Sequence, residues 1–91
     1  MSKYYIYGRT NPPCPYCEGA KLLASTELLE HVYIDIGTDI QMDEFRSMFP
    51  DQRTVPLVFV EDENGVRTKI GGYQEMKTYV DAQKTMDGLS L

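Results

Sequence analysis

Lys3-Tyr4-Tyr5-Ile6-Tyr7-Gly8, a short loop, and then Cys14-Pro15-Tyr16-Cys17-Glu18-Gly19-Ala20-Lys21-Leu22-Leu23-Ala24 form the stretch on which the fold of this chain turns. The first run is rich in β-favouring aromatics and is closed by Gly8, which predicts a strand. The loop is Arg9-Thr10-Asn11-Pro12-Pro13. From Pro15 onward, Ala20, Leu23, Ala24 and Leu28 recur at helical spacing among good helix formers. A proline in the first helical turn is tolerated because its missing N–H would have had no partner there. Cys14 therefore stands at the start of a helix that follows a strand. Gly19 inside that helix costs about 1 kcal/mol relative to alanine, so it marks either a close approach by another group or plain tolerance.

Outward from this stretch the chain reads as alternating elements. His31-Val32-Tyr33-Ile34-Asp35-Ile36, closed by Gly37, predicts a second strand, and its weak alternation fits burial on both faces. Met42, Phe45, Met48 and Phe49 mark one face of a short second helix that Pro50 stops. Thr54-Val55-Pro56 then leads into a third strand, Leu57-Val58-Phe59-Val60. Asn64-Gly65 is a tight-hairpin signal that makes Val66-Arg67-Thr68-Lys69-Ile70 a fourth strand. Gly71-Gly72 breaks the chain, and Tyr73, Met76, Tyr79 and Val80 form the apolar face of a last helix. The order is β-α-β-α-β-β-α, an α/β class. The first two strands flank a helix and are expected to be parallel, the last two antiparallel, giving one four-stranded mixed sheet flanked by helices.

The length of 91 residues fits a single domain spanning 1–91, with its core at about 3–82 and a tail from about Lys84 to Leu91 expected to fray. No apolar run approaches the roughly 18 to 20 residues needed to cross a bilayer, and the first residues lack a secretory pattern. The cytoplasm is the expected compartment and a monomer the expected state. With Lys+Arg 9 against Asp+Glu 14 and a net charge of -5, scattered without basic runs, nucleic acid is a poor partner.

The two cysteines of the chain, Cys14 and Cys17, enclose two residues. A bridge so short constrains little chain, so the pair points to chemistry rather than scaffolding. A C-x-x-C that follows a strand and opens a helix is the thioredoxin-like redox arrangement. Unpaired amides at the helix start carry partial positive charge, which favours the Cys14 thiolate and draws its pKa from about 8.5 into a range of roughly 3.5 to 7.5. Lys21, two turns on, would add a weak long-range contribution. A fall of about three units raises the thiolate fraction at pH 7 roughly 30-fold, while nucleophilicity falls roughly 16- to 30-fold, so attack gains little. The larger gain is that Cys14 becomes a good leaving group when a second thiol attacks the mixed disulfide. The expected cycle has Cys14 attacking, with resolution by Cys17 or by an external thiol. Two plainer readings are half of a zinc site, which lacks further ligands besides His31, and two core cysteines at chance spacing. No metal is expected, and His31 reads as an ordinary strand residue.

Cys14-Pro15-Tyr16-Cys17, then Thr54-Val55-Pro56, then Gly71-Gly72-Tyr73 resemble the signature set of the glutaredoxin family, in its order and spacing, across about residues 3 to 82. Cys-Pro-Tyr-Cys is the form typical of dithiol members. The resemblance implies a thioredoxin-like fold and an enzyme that uses glutathione as co-substrate to reduce protein disulfides and glutathione mixed disulfides. It implies that Pro56 follows a cis peptide bond facing the redox pair. The backbone of Val55, beside Thr54, would pair with the cysteinyl part of glutathione, and Tyr16 would line the approach to the sulfur. Gly71, Gly72, Tyr73 and Gln74 would admit the γ-glutamyl end to the helix-start amides, with Glu75, where the family more often has aspartate, meeting the α-ammonium group. The plain alternative for Glu75 is an acid stabilising the first helical turn. Arg53 and Arg9 are candidates for the glycine carboxylate, with a solvated surface arginine as the alternative for each, and Gln52 is a further candidate. The Asn11-Pro12-Pro13 loop is one or two residues longer than usual and bears on partner choice. Three other functions stay open: a hydrogen donor fed by a thioredoxin reductase, with ribonucleotide reductase as one acceptor; a glutathione-bridged iron–sulfur cluster carrier; and a partner-binding domain with dispensable cysteines.

Overall fold

The computed structural model describes residues 2–89, with side chains described as far as Lys84. Its elements are β1 (Lys3–Gly8), α1 (Pro15–Thr26), β2 (Glu30–Asp35), α2 (Met42–Met48), β3 (Leu57–Glu61), β4 (Arg67–Gly71) and α3 (Tyr73–Leu89), the order expected from the sequence. The sheet order is β2-β1-β3-β4. β1 pairs with β2 in parallel, and both β1·β3 and β3·β4 are antiparallel.

Period-two alternation in the two central strands builds a core on each sheet face. Tyr4 and Ile6 of β1 with Val58 and Val60 of β3 pack against Ala20 and Ala24 of α1 and Met76 and Val80 of α3. The alanines hold α1 close to the sheet. On the opposite face Tyr7 and Leu57 pack with Phe45 and Ile36. There the Tyr7 ring lies 5.7 Å from Phe45, 5.2 Å from Phe49 and 6.1 Å from Phe59, edge-on to the last two. A seven-residue α2 thus covers its half of the sheet with aromatic rings.

Two details differ from the sequence reading. β2 is an edge strand rather than one buried on both faces, with Glu30 and Val32 exposed and the other residues half-buried. Its weak alternation comes from the edge position, where neither face is fully covered. The hairpin is not a two-residue turn: Gly65 N–H donates to Asp62 O at 3.0 Å, and Asp62 and Val66 close the loop through the Asp62 N–H at 3.0 Å. A two-residue type I′ turn needs positive φ at both central residues, and here only Gly65 has it, at 81°. The Asp62 side chain, accepting from Asn64 N–H at 2.9 Å and Val66 N–H at 3.0 Å, makes the longer loop the better one. The last helix, α3, runs to Leu89, and residues 90 and 91, the end of the tail read from the sequence, lie outside the described residues. Lys84 Nζ reaches Glu27 Oε2 at 3.3 Å, tying this helix to the end of α1. Among the described residues no helix is long and apolar enough to cross a membrane.

Candidate active site

Topology brings three separate signatures to one end of the sheet. β1 runs toward that end and delivers the chain to Cys14; β3, antiparallel to β1, starts there after Pro56; β4, antiparallel to β3, finishes there at Gly71. A one-residue irregularity between β3 and β4, with Val58 opposite Gly71 but Phe59 opposite Lys69, bends the end of β4 beside the site. Gly71 has φ of 129°, a conformation that side chains rarely adopt, and a Cβ there would meet the Glu75 side chain at 3.0 to 3.1 Å.

Cys14 is the N-cap of α1, and Pro15 opens the helix. The Cys17 N–H donates to Cys14 Sγ at 3.3 Å, so a helix-start amide is aimed at the sulfur. The two cysteines form a disulfide across this turn, with Cα atoms 5.2 Å apart. Their exposure separates them: Cys14 is 5% exposed and Cys17 0%, so an approaching molecule reaches Cys14 first. Cys14 Sγ also lies 4.0 Å from the carbonyl oxygen of Val55, whose bond to Pro56 is cis. Val55 belongs to neither flanking element, and among the described residues no backbone hydrogen bond uses its N–H. Gln52 Nε2 donates to Thr54 O at 2.8 Å and steadies this loop.

A groove of about 410 Å³ runs beside the disulfide, with Tyr16 on one side, Thr54, Val55 and Pro56 on another, and Gly72, Tyr73 and Gln74 closing it. Seven of the residues singled out from the sequence therefore converge. Tyr16, 67% exposed, lies 6.1 Å from the Tyr73 ring. Gly19 explains how Tyr73 fits: a Cβ on Gly19 would meet Tyr73 Cε1 at 3.1 Å, so this glycine marks a close approach.

The other expected residues fall elsewhere. Glu75 does not line the groove; its Oε1 accepts from the Gly72 N–H at 2.9 Å, capping its own helix. Gly71 sets the backbone without lining the groove. Arg9 and Arg53 line a neighbouring cavity of about 520 Å³ that shares Thr54 and Val55 with the groove. Sequence reasoning missed Arg46, which joins them from the last turn of α2; its one signal was a cation on a helix otherwise read for its apolar face. Lys21 is engaged away from the sulfur, at 3.8 Å from Glu18 and 4.5 Å from the Tyr33 ring centroid. His31 Nδ1 lies 2.8 Å from Leu29 O, a local strand-edge contact. Burial pushes the Tyr33 phenol above its ordinary pKa, with Asp35 and Glu18 adding to the shift, and its hydroxyl donates to Arg9 O at 3.3 Å, holding the loop before Cys14. Arg9 Nε in turn donates to Pro12 O at 3.2 Å.

Comparison with known proteins agrees with this arrangement. The glutaredoxin family model matches residues 3–64. Among solved structures, glutaredoxin 1 from Francisella tularensis, determined in complex with cacodylate, is 28% identical, with a TM-score of 0.65 over 93% of this chain and 99% of that one. Comparison with curated protein sequences gives no match. With the family model spanning more than half of the chain and the neighbour sharing the thioredoxin-like sheet and helices, the chain belongs to the glutaredoxin family of thiol–disulfide oxidoreductases.

Proposed function

We propose that this protein is a glutathione-dependent thiol–disulfide oxidoreductase that reduces protein disulfides and glutathione mixed disulfides, with Cys14 as nucleophile and Cys17 as resolving thiol. The observation that carries the reading is the asymmetry of the pair: Cys14, the more exposed of the two at 5%, with the Cys17 amide 3.3 Å from its sulfur, and Cys17 fully buried. A thiolate at Cys14 is favoured by that amide and by the helix start. It attacks a substrate disulfide, forming the Cys14–substrate bond as the substrate S–S bond breaks and its other sulfur departs as thiolate. Cys17 then attacks Cys14 and releases the second substrate sulfur. The substrate gains two electrons and the protein, now disulfide-bonded, loses two. Two molecules of glutathione return the pair to the dithiol and leave as glutathione disulfide.

In this reading the groove beside the disulfide holds glutathione. The free N–H of Val55 meets the cysteinyl backbone, Tyr16 and Tyr73 wall the approach, and Gly72 and Gln74 stand where the γ-glutamyl end enters. Arg9 or Arg53 takes the glycine carboxylate. The protein acts as a monomer in a reducing compartment such as the cytoplasm. A second reading has one observation behind it. One oxygen of Glu75 already accepts from the Gly72 amide, so less of this carboxylate is left for the γ-glutamyl end, and the second reading takes electrons from a thioredoxin reductase, with ribonucleotide reductase as one acceptor.

The test is turnover of a glutathione mixed disulfide with glutathione and its reductase as the electron source, in wild type, Cys14→Ser and Cys17→Ser. The expected outcome is loss of at least 100-fold in the Cys14 variant and retained turnover in the Cys17 variant, since glutathione can resolve the mixed disulfide externally. A wild type inactive here but active with thioredoxin reductase would replace glutathione by the second source.

A further inference from the structure

One side chain outside the groove grips both ends of the segment that carries the nucleophile. Tyr33 projects from the edge strand β2, half-buried against the core under α1 and α3. Its hydroxyl donates to Arg9 O at 3.3 Å, at the start of the loop that leads to Cys14. That loop is closed on itself by Arg9 Nε donating to Pro12 O at 3.2 Å, and its residues 10–13 are exposed. The Tyr33 ring meanwhile carries Lys21 Nζ of α1 at 4.5 Å from its centroid, and Lys21 lies 3.8 Å from Glu18 on the same helix. A Cβ on Gly8 would collide with the Tyr33 hydroxyl, so the glycine that ends β1 is what lets the phenol reach the loop.

An exposed loop buries little apolar surface, so hydrogen bonds such as these decide how firmly it is held. Its last residue precedes Cys14, whose sulfur accepts the Cys17 N–H at 3.3 Å and whose carbonyl accepts the Glu18 N–H at 3.0 Å. These contacts favour a thiolate only while Cys14 keeps the N-cap geometry, because the field of the helix start falls off within one turn. We propose that Tyr33 is a positioning residue for Cys14: its hydroxyl and ring clamp the 9–13 loop to α1 and thereby set the acidity of the nucleophilic thiol. The proposal deepens, and rests on, the reading of Cys14 as nucleophile. The groups facing the phenol are Asp35 from its own strand, Glu18 and Lys21 from α1, and Arg9 and Thr10 from the loop. Burial first, then Asp35 and Glu18, hold the phenol above its ordinary pKa of 10.0 and outweigh Thr10 and Arg9, which act the other way. It therefore stays a hydrogen-bond donor throughout the range in which Cys14 titrates.

The experiment follows the rate at which iodoacetamide alkylates the reduced full-length protein between about pH 3 and 9, which reads the Cys14 thiolate because Cys17 is fully buried. Tyr33→Phe removes the hydroxyl and keeps the ring, whereas Gly8→Ala keeps the hydroxyl and displaces it. Each is expected to raise the pKa of Cys14 by roughly 0.3 to 1, and the double variant by about the larger of the two single effects, because both break the same contact. The acidic limb of the pH profile for turnover of a glutathione mixed disulfide should move by the same amount. Val80→Ala, which loosens the same core from α3, is expected to unfold at lower denaturant and yet leave the Cys14 pKa within about 0.2 of wild type. A wild-type pKa in Tyr33→Phe, or a shift of equal size in Val80→Ala, would overturn the positioning role and leave Tyr33 as a packing residue. A wild type without turnover at any pH overturns the proposed activity, and the alkylation titration still decides the role of Tyr33.

Discussion

At the scale of single residues, the site depends on small groups that make room. Gly19 is the clearest case, because in the sequence it reads equally as tolerance or as close approach, and only the folded chain places the Tyr73 ring against it. Gly19→Val should push that ring out of the groove. The expected outcome is a several-fold rise in KM for a glutathione mixed disulfide with a smaller change in kcat, and a stability loss of about 1 to 3 kcal/mol by urea unfolding. An unchanged KM would separate Tyr73 from substrate binding. Glu75 teaches the opposite lesson. Its side chain is long enough to fold back on the Gly72 amide, so one of its oxygens serves the first helical turn, as the plainer expectation for it has it.

At the scale of elements, α1 was legible because its signals are local: a strand, a proline at the first helical position, and an apolar repeat that needs no partner to be recognised. The β3–β4 turn was legible as a turn but not as to type. Asn64-Gly65 invites a two-residue turn, and Asp62 overrides it by accepting two backbone N–H groups of the loop. The consequence is measurable. Gly65→Ala should cost about 1 kcal/mol because Gly65 is the one residue of this turn with positive φ, whereas Asn64→Ala should cost a few tenths or less, compared by denaturant midpoints. Equal losses at the two positions would restore the two-residue turn. The α2 arginine escaped notice for a related reason: in a seven-residue helix read for Phe45 and its neighbours, nothing in the spacing says where a cation on the solvent side will point.

At the scale of the whole molecule, two cores on either side of one sheet hold the three signature segments in register. Tyr4 belongs to the core under α1 and α3 and is 3% exposed. Burial raises its pKa above the ordinary 10.0, with Tyr79 adding to the shift. Its neutral form is therefore favoured in the folded state. The corresponding stability is fully present below about pH 10 and is lost as pH rises through the folded pKa, because the unfolded chain releases that proton first. Tyr4→Phe should flatten this alkaline decline relative to wild type in chemical unfolding between about pH 8 and 11, and a decline of unchanged slope would assign it to other groups. From the sequence by itself came the element order, the mixed sheet, the redox pair at a helix start and the three segments resembling a glutaredoxin, because each is written in local spacing, turn residues or short motifs. Only the tertiary structure decided that β2 lies at an edge, that Cys17 is sealed behind Cys14, that Tyr73 rests on Gly19, and that Arg46 joins Arg9 and Arg53. Each of those is a contact between residues far apart in the chain, and such contacts are set by how the sheet stacks its neighbours rather than by any property of the residues read one after another.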